Sequence, residues 1–357
     1  MMQIHGGNIR EVSKTYHLRK NKIMDFSSNI NPLGFPEGVQ NLFKRGVNEI
    51  RSYPDSHSTE LKEEIKQWLG IHETNILVGN GSTELIYLIA RALKPKMALI
   101  PVPTFNEYER SLHSVGCKLR YLPLNERKYF RFDMADMVSH LSQIDILYIC
   151  NPNNPTGVLY RKNEILSLLE RTEKRGVFVV VDEAFMDFAD NETVTDEIMR
   201  RKNLIIIKSL TKFFGIPGLR LGYLLSNSKL VEQMSCYKEP WTVNVLAQKA
   251  GVACFKDNHF RIQTKRLIDR ERTYMLDKLS ELKGLKPYGS STNYLLIKIV
   301  KPGLSSGRLY DMMARRGFLI RDCCSFRGMG SQFIRIALKK RKQNRLLIEN
   351  LKRIIRE

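Results

Sequence analysis

The sequence predicts an α/β fold in which a large domain, built on a mostly parallel mixed sheet flanked by helices, precedes a smaller α+β domain. Three observations predict it. Short strand-like segments at 76–78, 97–101, 118–123, 144–150, 177–181 and 204–208, most of them apolar, alternate with helical patterns up to Tyr223. The most apolar burst, Val177-Phe178-Val179-Val180-Val181, has no polar residue at all, as a strand covered on both faces requires. Beyond Tyr223 the pattern changes to a mostly helical stretch over 229–283 and then to short strands separated by helices. Alternation of the first kind implies right-handed βα units with ligand groups gathered at strand ends.

In chain order, residues 1–35 form a Gly- and Asn-rich arm with little periodic apolar signal, the kind of loop whose backbone can approach a ligand closely. Residues 36–235 form the large domain. It opens with helices near 36–50 and 58–69. The strand 76–78 feeds Gly79-Asn80-Gly81-Ser82-Thr83-Glu84 and a helix over 85–92. A glycine-rich turn into a helix N-terminus is an anion site, because free N–H groups and the helix dipole point at the ligand. Strand 97–101 precedes a helix starting at Pro103-Thr104-Phe105-Asn106-Glu107-Tyr108, and strand 118–123 precedes a helix over 134–141. Strand 144–150 runs into Asn151-Pro152-Asn153-Asn154-Pro155-Thr156-Gly157, and a helix follows at 164–175. Residues 236–357 hold the helical connection and the small domain, with strands at 293–299, 318–321 and 333–338 and helices at 309–316 and 344–356. There is no internal repeat.

At 357 residues, 43% hydrophobic and 27% charged, the composition is that of a water-soluble globular chain with room for more than one lobe. No window approaches the roughly twenty apolar residues that span a bilayer. The first residues lack the pattern of a signal peptide, so a cytoplasmic protein is expected. The six cysteines form no C-x-x-C pair and accompany no His cluster, which argues against structural zinc. The formal charge of +21 raises nucleic-acid binding, but the basic residues are spread along the chain and match no such motif. A positive field also attracts anionic substrates.

The stretch that carries chemistry is Ser209-Leu210-Thr211-Lys212-Phe213-Phe214-Gly215-Ile216-Pro217-Gly218-Leu219-Arg220-Leu221-Gly222-Tyr223. A lysine between two buried strands is easily desolvated, which lowers its pKa and lets the amine form a Schiff base with an aldehyde. By charge and spacing alone, Lys212 is more often one more surface lysine. Asp182, ending the most apolar strand, is either a helix N-cap or a buried carboxylate in need of a cationic partner.

S-x-T-K-x-x-G-[IL]-x-G-L-R-[LI]-G-Y resembles the pyridoxal phosphate lysine segment of class I/II aminotransferases and their decarboxylase relatives, which have the fold of type I PLP-dependent transferases. The resemblance implies that Lys212 holds the pyridoxal 5′-phosphate aldehyde and that Asp182 pairs with the pyridine nitrogen. Asn154 would contact the phenolic oxygen and Phe105 would stack on the ring. Ser82, Thr83, Ser209 and Arg220 would hold the cofactor phosphate. Tyr53 resembles a tyrosine that reaches the phosphate across a dimer interface, which implies a homodimer. Arg335 resembles the arginine that binds a substrate α-carboxylate.

Within that family the nearest generic expectation is histidinol-phosphate aminotransferase, in which Arg321 would take a substrate phosphate. Three features resemble instead the threonine-phosphate decarboxylases of the cobalamin pathway. These are H-G-G-N-x-R-E at 5–11 followed by D-F-S-x-N-I-N-P-L-G at 25–34, Phe185 in D-E-A-F-x-D-F where aminotransferases usually carry tyrosine, and P-W-[ST]-V-N at 240–244. That reading makes His5, Gly6, Gly7, Asn8, Asn31, Gly34, Asn154, Arg321 and Arg335 the substrate-holding residues, with Arg10 and Arg327 as weaker candidates. It implies decarboxylation of L-threonine O-3-phosphate, or of L-serine O-phosphate, a small phosphorylated amino acid in either case. No metal, membrane or nucleic-acid partner is expected.

Overall fold

The structure, a computed structural model, describes residues 6–45 and 47–356. Its strands are β1 (Met24–Asp25), β2 (Ile76–Gly79), β3 (Met97–Val102), β4 (Lys118–Pro123), β5 (Ile146–Cys150), β6 (Phe178–Asp182), β7 (Leu204–Ser209), β8 (Gly222–Ser226), β9 (Leu285–Pro287), β10 (Tyr294–Ile299), β11 (Phe318–Leu319), β12 (Arg321–Asp322) and β13 (Phe333–Ala337). Seven of them form one sheet in the order β2-β8-β7-β6-β5-β3-β4. Strand β8 is antiparallel to both neighbours and the rest run parallel, so the carboxyl ends of β3, β5, β6 and β7 open on one edge.

The unbroken apolar runs are explained by this arrangement. Leu147, Ile149, Val179, Val181 and Ile206 feed one hydrophobic core, while Ile146, Tyr148, Val180, Ile205 and Ile207, alternating with them, feed a second core on the opposite face. Each such side chain taken fully out of water contributes about 1.5–3 kcal/mol. The first core is continuous with the second sheet, since Phe26, Phe213, Ile268, Leu295 and Ile336 belong to it.

The second sheet is antiparallel, in the order β12-β13-β10-β9, and helices Ser306–Arg315 and Arg341–Arg356 accompany it. The arm reaches this half of the molecule: β1 pairs in parallel with β11.

Two local expectations are corrected, one strand was not expected, and the helical stretch over 229–283 holds but is divided. The arm is not all loop, since Ile9–Thr15 is helical and buries Val12. Ile9 and Val12 are its two apolar residues, and one i,i+3 pair is too short a pattern to read as a period. The expected strand at 318–321 is two strands in two sheets, and the switch at Ile320 turns Arg321 away from the β1 pairing towards β13. Strand β9 was missed, because Leu285-Lys286-Pro287 shows too short an alternation. The stretch 229–283 is three helices, Ser228–Ser235, Val245–Lys256 and Asn258–Ser280, broken first around Trp241 with its left-handed φ of 58°.

Candidate active site

A cavity of about 320 Å³ opens at the carboxyl edge of the large sheet, between it and strands β12 and β13. Its lining contains Gly6, Ser82, Phe105, Asn154, Asp182, Lys212, Arg220, Arg321 and Arg335 from the predicted set. Sequence reasoning did not select Ser27, Ser28, Asn29, Ile30, Asn106, Cys150, Ala184 and Phe326, which also line it; Phe185, singled out only as a marker of the decarboxylases, is in the wall as well.

The first wall is the turn after β2. Gly81 has φ +77°, and a Cβ there would lie 2.5 Å from Arg220 Nη2. A Cβ on Gly222 would lie 2.7 Å from the Ser82 N–H nitrogen. Only glycines allow the Arg220 guanidinium to lie against the N-terminus of helix Gly81–Leu93, where cation, hydroxyl and helix dipole converge.

Asp182, ending β6, stands beside Cys150 of β5 in the parallel register. It is 3% exposed; its Oδ2 accepts from the Tyr108 hydroxyl at 2.6 Å and its Oδ1 from the Ala184 N–H at 2.9 Å. Burial raises its pKa, and these two donors and the Lys212 ammonium oppose the rise. Beneath it, Glu183 is fixed by Lys208 of β7 at 2.5 Å and by Val194 N–H at 3.0 Å.

Lys212 follows β7. Burial pulls its pKa down to about 8, Arg220 and Arg335 push the same way, and Asp182 alone among the larger influences opposes them strongly. The arm fixes this segment from outside: Asn31 N–H donates to Lys212 O at 3.1 Å, and Asn31 Nδ2 donates to Phe213 O at 2.6 Å and Thr264 Oγ1 at 2.8 Å.

Arg321 and Arg335 come from the second sheet, directly opposite each other in the β12–β13 register. They are 1% and 6% exposed. Arg335 Nη1 donates to Asn154 Oδ1 and Nη2 to Ser27 O at 2.9 Å, and burial lowers its pKa to about 10. Arg321 Nη2 donates to Ser325 Oγ at 2.7 Å. Among the described lining residues four are cationic and one, Asp182, is anionic. Such a cavity is shaped for a ligand with more than one anionic group.

The remaining predicted residues lie elsewhere. Ser209 is buried with its hydroxyl on Thr211 Oγ1 at 2.8 Å, and Thr83 lies one residue along the helix from the lining Ser82. Asn31 and Gly34 brace the lysine segment, since Gly34 O abuts Gly215, so they do not reach the cavity. Gly7 donates its N–H to Ser27 Oγ at 2.8 Å, and Asn8 precedes the helix Ile9–Thr15. Tyr53 is 83% exposed against Trp241, and Arg10 is exposed. Arg327 pairs with Glu109 at 2.6 Å outside the cavity. His5 lies outside the described residues. The motif D-F-S-x-N-I-N located the right segment, but the choice of Asn31 over Asn29 could not be made from spacing.

Fold and site together define a class. Residues 21–351 match the aminotransferase class I and II family, and the chain belongs to it. Membership of this family implies pyridoxal phosphate as cofactor. A relative from Caldanaerobacter subterraneus subsp. tengcongensis is 38% identical over 99% of this chain and 94% of its own. The threonine-phosphate decarboxylase of Salmonella typhimurium is 33% identical, with 98% of this chain and 96% of that protein covered. Among solved structures, the histidinol-phosphate aminotransferase from Clostridium acetobutylicum superposes with a TM-score of 0.87 at 30% identity, covering 93% of this chain and 98% of that one.

Proposed function

We propose that this chain is a pyridoxal 5′-phosphate-dependent carboxy-lyase. In this reading it converts L-threonine O-3-phosphate to (R)-1-amino-2-propanol O-2-phosphate for cobamide assembly, with L-serine O-phosphate to ethanolamine phosphate as the nearest variant. The observation that carries the reading is the opposed pair Arg321 and Arg335 in the same cavity as Lys212 and Asp182. A small amino acid with a carboxylate at one end and a phosphate at the other would place its amine at Lys212 while the two guanidiniums hold its anions.

The residues fit the cofactor. The Gly81–Arg220 cradle has room for a phosphate only because it lacks a Cβ, and Asp182 is a buried carboxylate suited to a cationic ring nitrogen. Lys212 would bind the aldehyde carbon, Asn154 the phenolic oxygen, Phe105 the ring face, and Ser82 and Arg220 the phosphate. When bound, pyridoxal phosphate supplies an electron sink for whichever bond at the substrate α-carbon stands perpendicular to its ring.

The chain's part is to choose that bond. Arg335, anchored by Asn154 and Ser27, would hold the carboxylate, and Arg321 would anchor the distant phosphate, so remote binding energy fixes the geometry at the reacting carbon. Lys212, with a pKa of about 8, would return a proton to that carbon after carbon dioxide leaves. Phe326 lines the cavity with the Arg321 guanidinium 5.2 Å from its ring centre, and so adds an apolar wall beside that cation.

Two things favour decarboxylation over transamination. The Salmonella relative bears that name, and Phe185, 4% exposed and edge-on to Tyr294 at 5.1 Å, puts no hydroxyl at the wall where aminotransferases usually carry one. We further propose a homodimer in which Tyr53 reaches the partner's cofactor phosphate, and a cytoplasmic location. Among the described residues no helix is long and apolar enough to cross a membrane.

The test uses purified protein, pyridoxal phosphate and L-threonine O-phosphate without a keto acid. Carbon dioxide release with a phosphorylated amine product, abolished by Lys212→Ala, supports the reading, and the rate on L-serine O-phosphate ranks the two substrates. Amino transfer from histidinol phosphate to 2-oxoglutarate without carbon dioxide release overturns it in favour of the aminotransferase.

A further inference from the structure

We infer that Tyr108 is a positioning residue that keeps Asp182 ionised and correctly oriented, and so sets the protonation of whatever ring nitrogen Asp182 faces. This rests on the cofactor reading above. Tyr108 was not selected from the sequence, where it is only the last residue of Pro103-Thr104-Phe105-Asn106-Glu107-Tyr108.

Asp182 has two oxygens, and among the described residues each accepts from one hydrogen-bond donor. The Ala184 N–H comes from its own chain turn and cannot be removed by a side-chain change. The second donor is the Tyr108 hydroxyl, which reaches Oδ2 at 2.6 Å from helix Glu107–His113. Tyr108 is completely buried and stacks on Tyr148 with centroids 5.0 Å apart, so its hydroxyl has a fixed direction. Its edge also meets Phe105 at 5.7 Å, which links the acid to the residue expected on the ring face. Towards the carboxylate this hydroxyl donates, since the buried phenol stays protonated far beyond neutral pH.

The other groups facing Asp182 do not supply this. Cys150 from β5 and Tyr294 from β10 are buried and neutral near pH 7, and the Tyr148 hydroxyl has no hydrogen-bond partner among the described residues. Glu183 is committed to Lys208. Lys212 favours the carboxylate only while it is protonated. Once that amine is consumed by an aldehyde, Tyr108 is the side-chain donor left to Asp182 among the described residues.

The pair Tyr108 and Tyr148 provides its own control, because one hydroxyl of the stack is used and the other is not. Wild type, Tyr108→Phe and Tyr148→Phe are each loaded with pyridoxal phosphate. The visible absorbance is titrated against pH, and cofactor affinity is read from fluorescence quenching. Tyr108→Phe is expected to weaken cofactor binding about tenfold or more, as loss of a hydrogen bond to a charged group implies. Its absorbance midpoint moves to higher pH, because a ring that has lost its proton repels a proton on the Lys212 nitrogen less. Tyr148→Phe follows wild type. Tyr108→Phe titrating as wild type, or both variants shifting equally, overturns the inference. A wild-type protein that develops no cofactor band at all overturns the cofactor reading itself, and the inference with it.

Discussion

Arg321 and Arg335 stand directly opposite each other on antiparallel strands β12 and β13, both buried and both lining the cavity that holds Lys212. Like charges at opposed positions of a strand pair repel, the more so away from water. Arg321 keeps Ser325 as a partner and Arg335 keeps Asn154 and Ser27, so two oriented guanidiniums face a cavity in which Asp182 is the one carboxylate among the described lining residues. A pair placed this way suits a ligand with two anionic groups.

Replacing either arginine separates its role from the other's. Arg321→Met should lower kcat/KM on the phosphorylated amino acid by about 10–100-fold, the range for a lost hydrogen bond to a charged group, while leaving cofactor binding unchanged. Arg335→Met should lose carboxylate recognition for every amino acid tried. Arg335→Met should also lower the thermal stability of the apo protein, because Asn154 Oδ1 and Ser27 O lose their buried donor, which thermal unfolding measures.

Lys212 should react as a base near neutrality. With burial pulling its pKa to about 8, half of it is neutral there, against an unfolded value near 10.4. Between those values the folded state binds fewer protons than the unfolded one, so this group makes the apo protein more stable as pH rises across that window. Mass-spectrometric labelling of Lys212 by an amine reagent should show a midpoint near pH 8. Arg220→Gln should move it upwards, because Arg220 is one of the cations depressing it.

Gly81→Ala should damage the phosphate cradle. The left-handed backbone at φ +77° costs about 1–2 kcal/mol for a residue with a Cβ, and that Cβ would press on Arg220. Cofactor affinity should fall more than thermal stability does, and titration of the apo protein with pyridoxal phosphate checks this.

Asn31→Ala distinguishes bracing from substrate contact. Both Nδ2 hydrogen bonds and the bond from Leu33 N–H at 2.9 Å would be lost, which costs about 1–3 kcal/mol for each polar group left buried and unpaired. Denaturant unfolding should show the loss while KM for the phosphorylated amino acid stays near wild type. A large rise in KM with unchanged stability would return Asn31 to the substrate site.

The strands of the large sheet were legible because burial on both faces demands continuous apolar runs, and composition displays that demand directly, as in 177–181. Lys212, Asp182, Asn154 and the Gly81–Ser82 turn were legible for a related reason: each is a polar residue placed where an apolar strand stops, so its position in the cavity follows from its position in the chain. The helix Ile9–Thr15 and strand β9 were not legible, because one or two buried positions do not make a period.

What only the tertiary structure decided is which polar groups meet. Sequence reasoning selected Asn31 and passed over Asn29 two residues away; packing turned Asn31 onto the lysine segment and Asn29 into the cavity. It brought Tyr108 to Asp182 across 74 positions of chain and set Arg321 against Arg335 by the switch of strands at Ile320. The sequence by itself determined the fold, the cofactor segment and the family, because those depend on local pattern and on motifs of fixed spacing. The pairing of charges and the support of the acid depend on contacts between distant segments, and hydrogen-bond direction and desolvation acquire values only once those segments have packed.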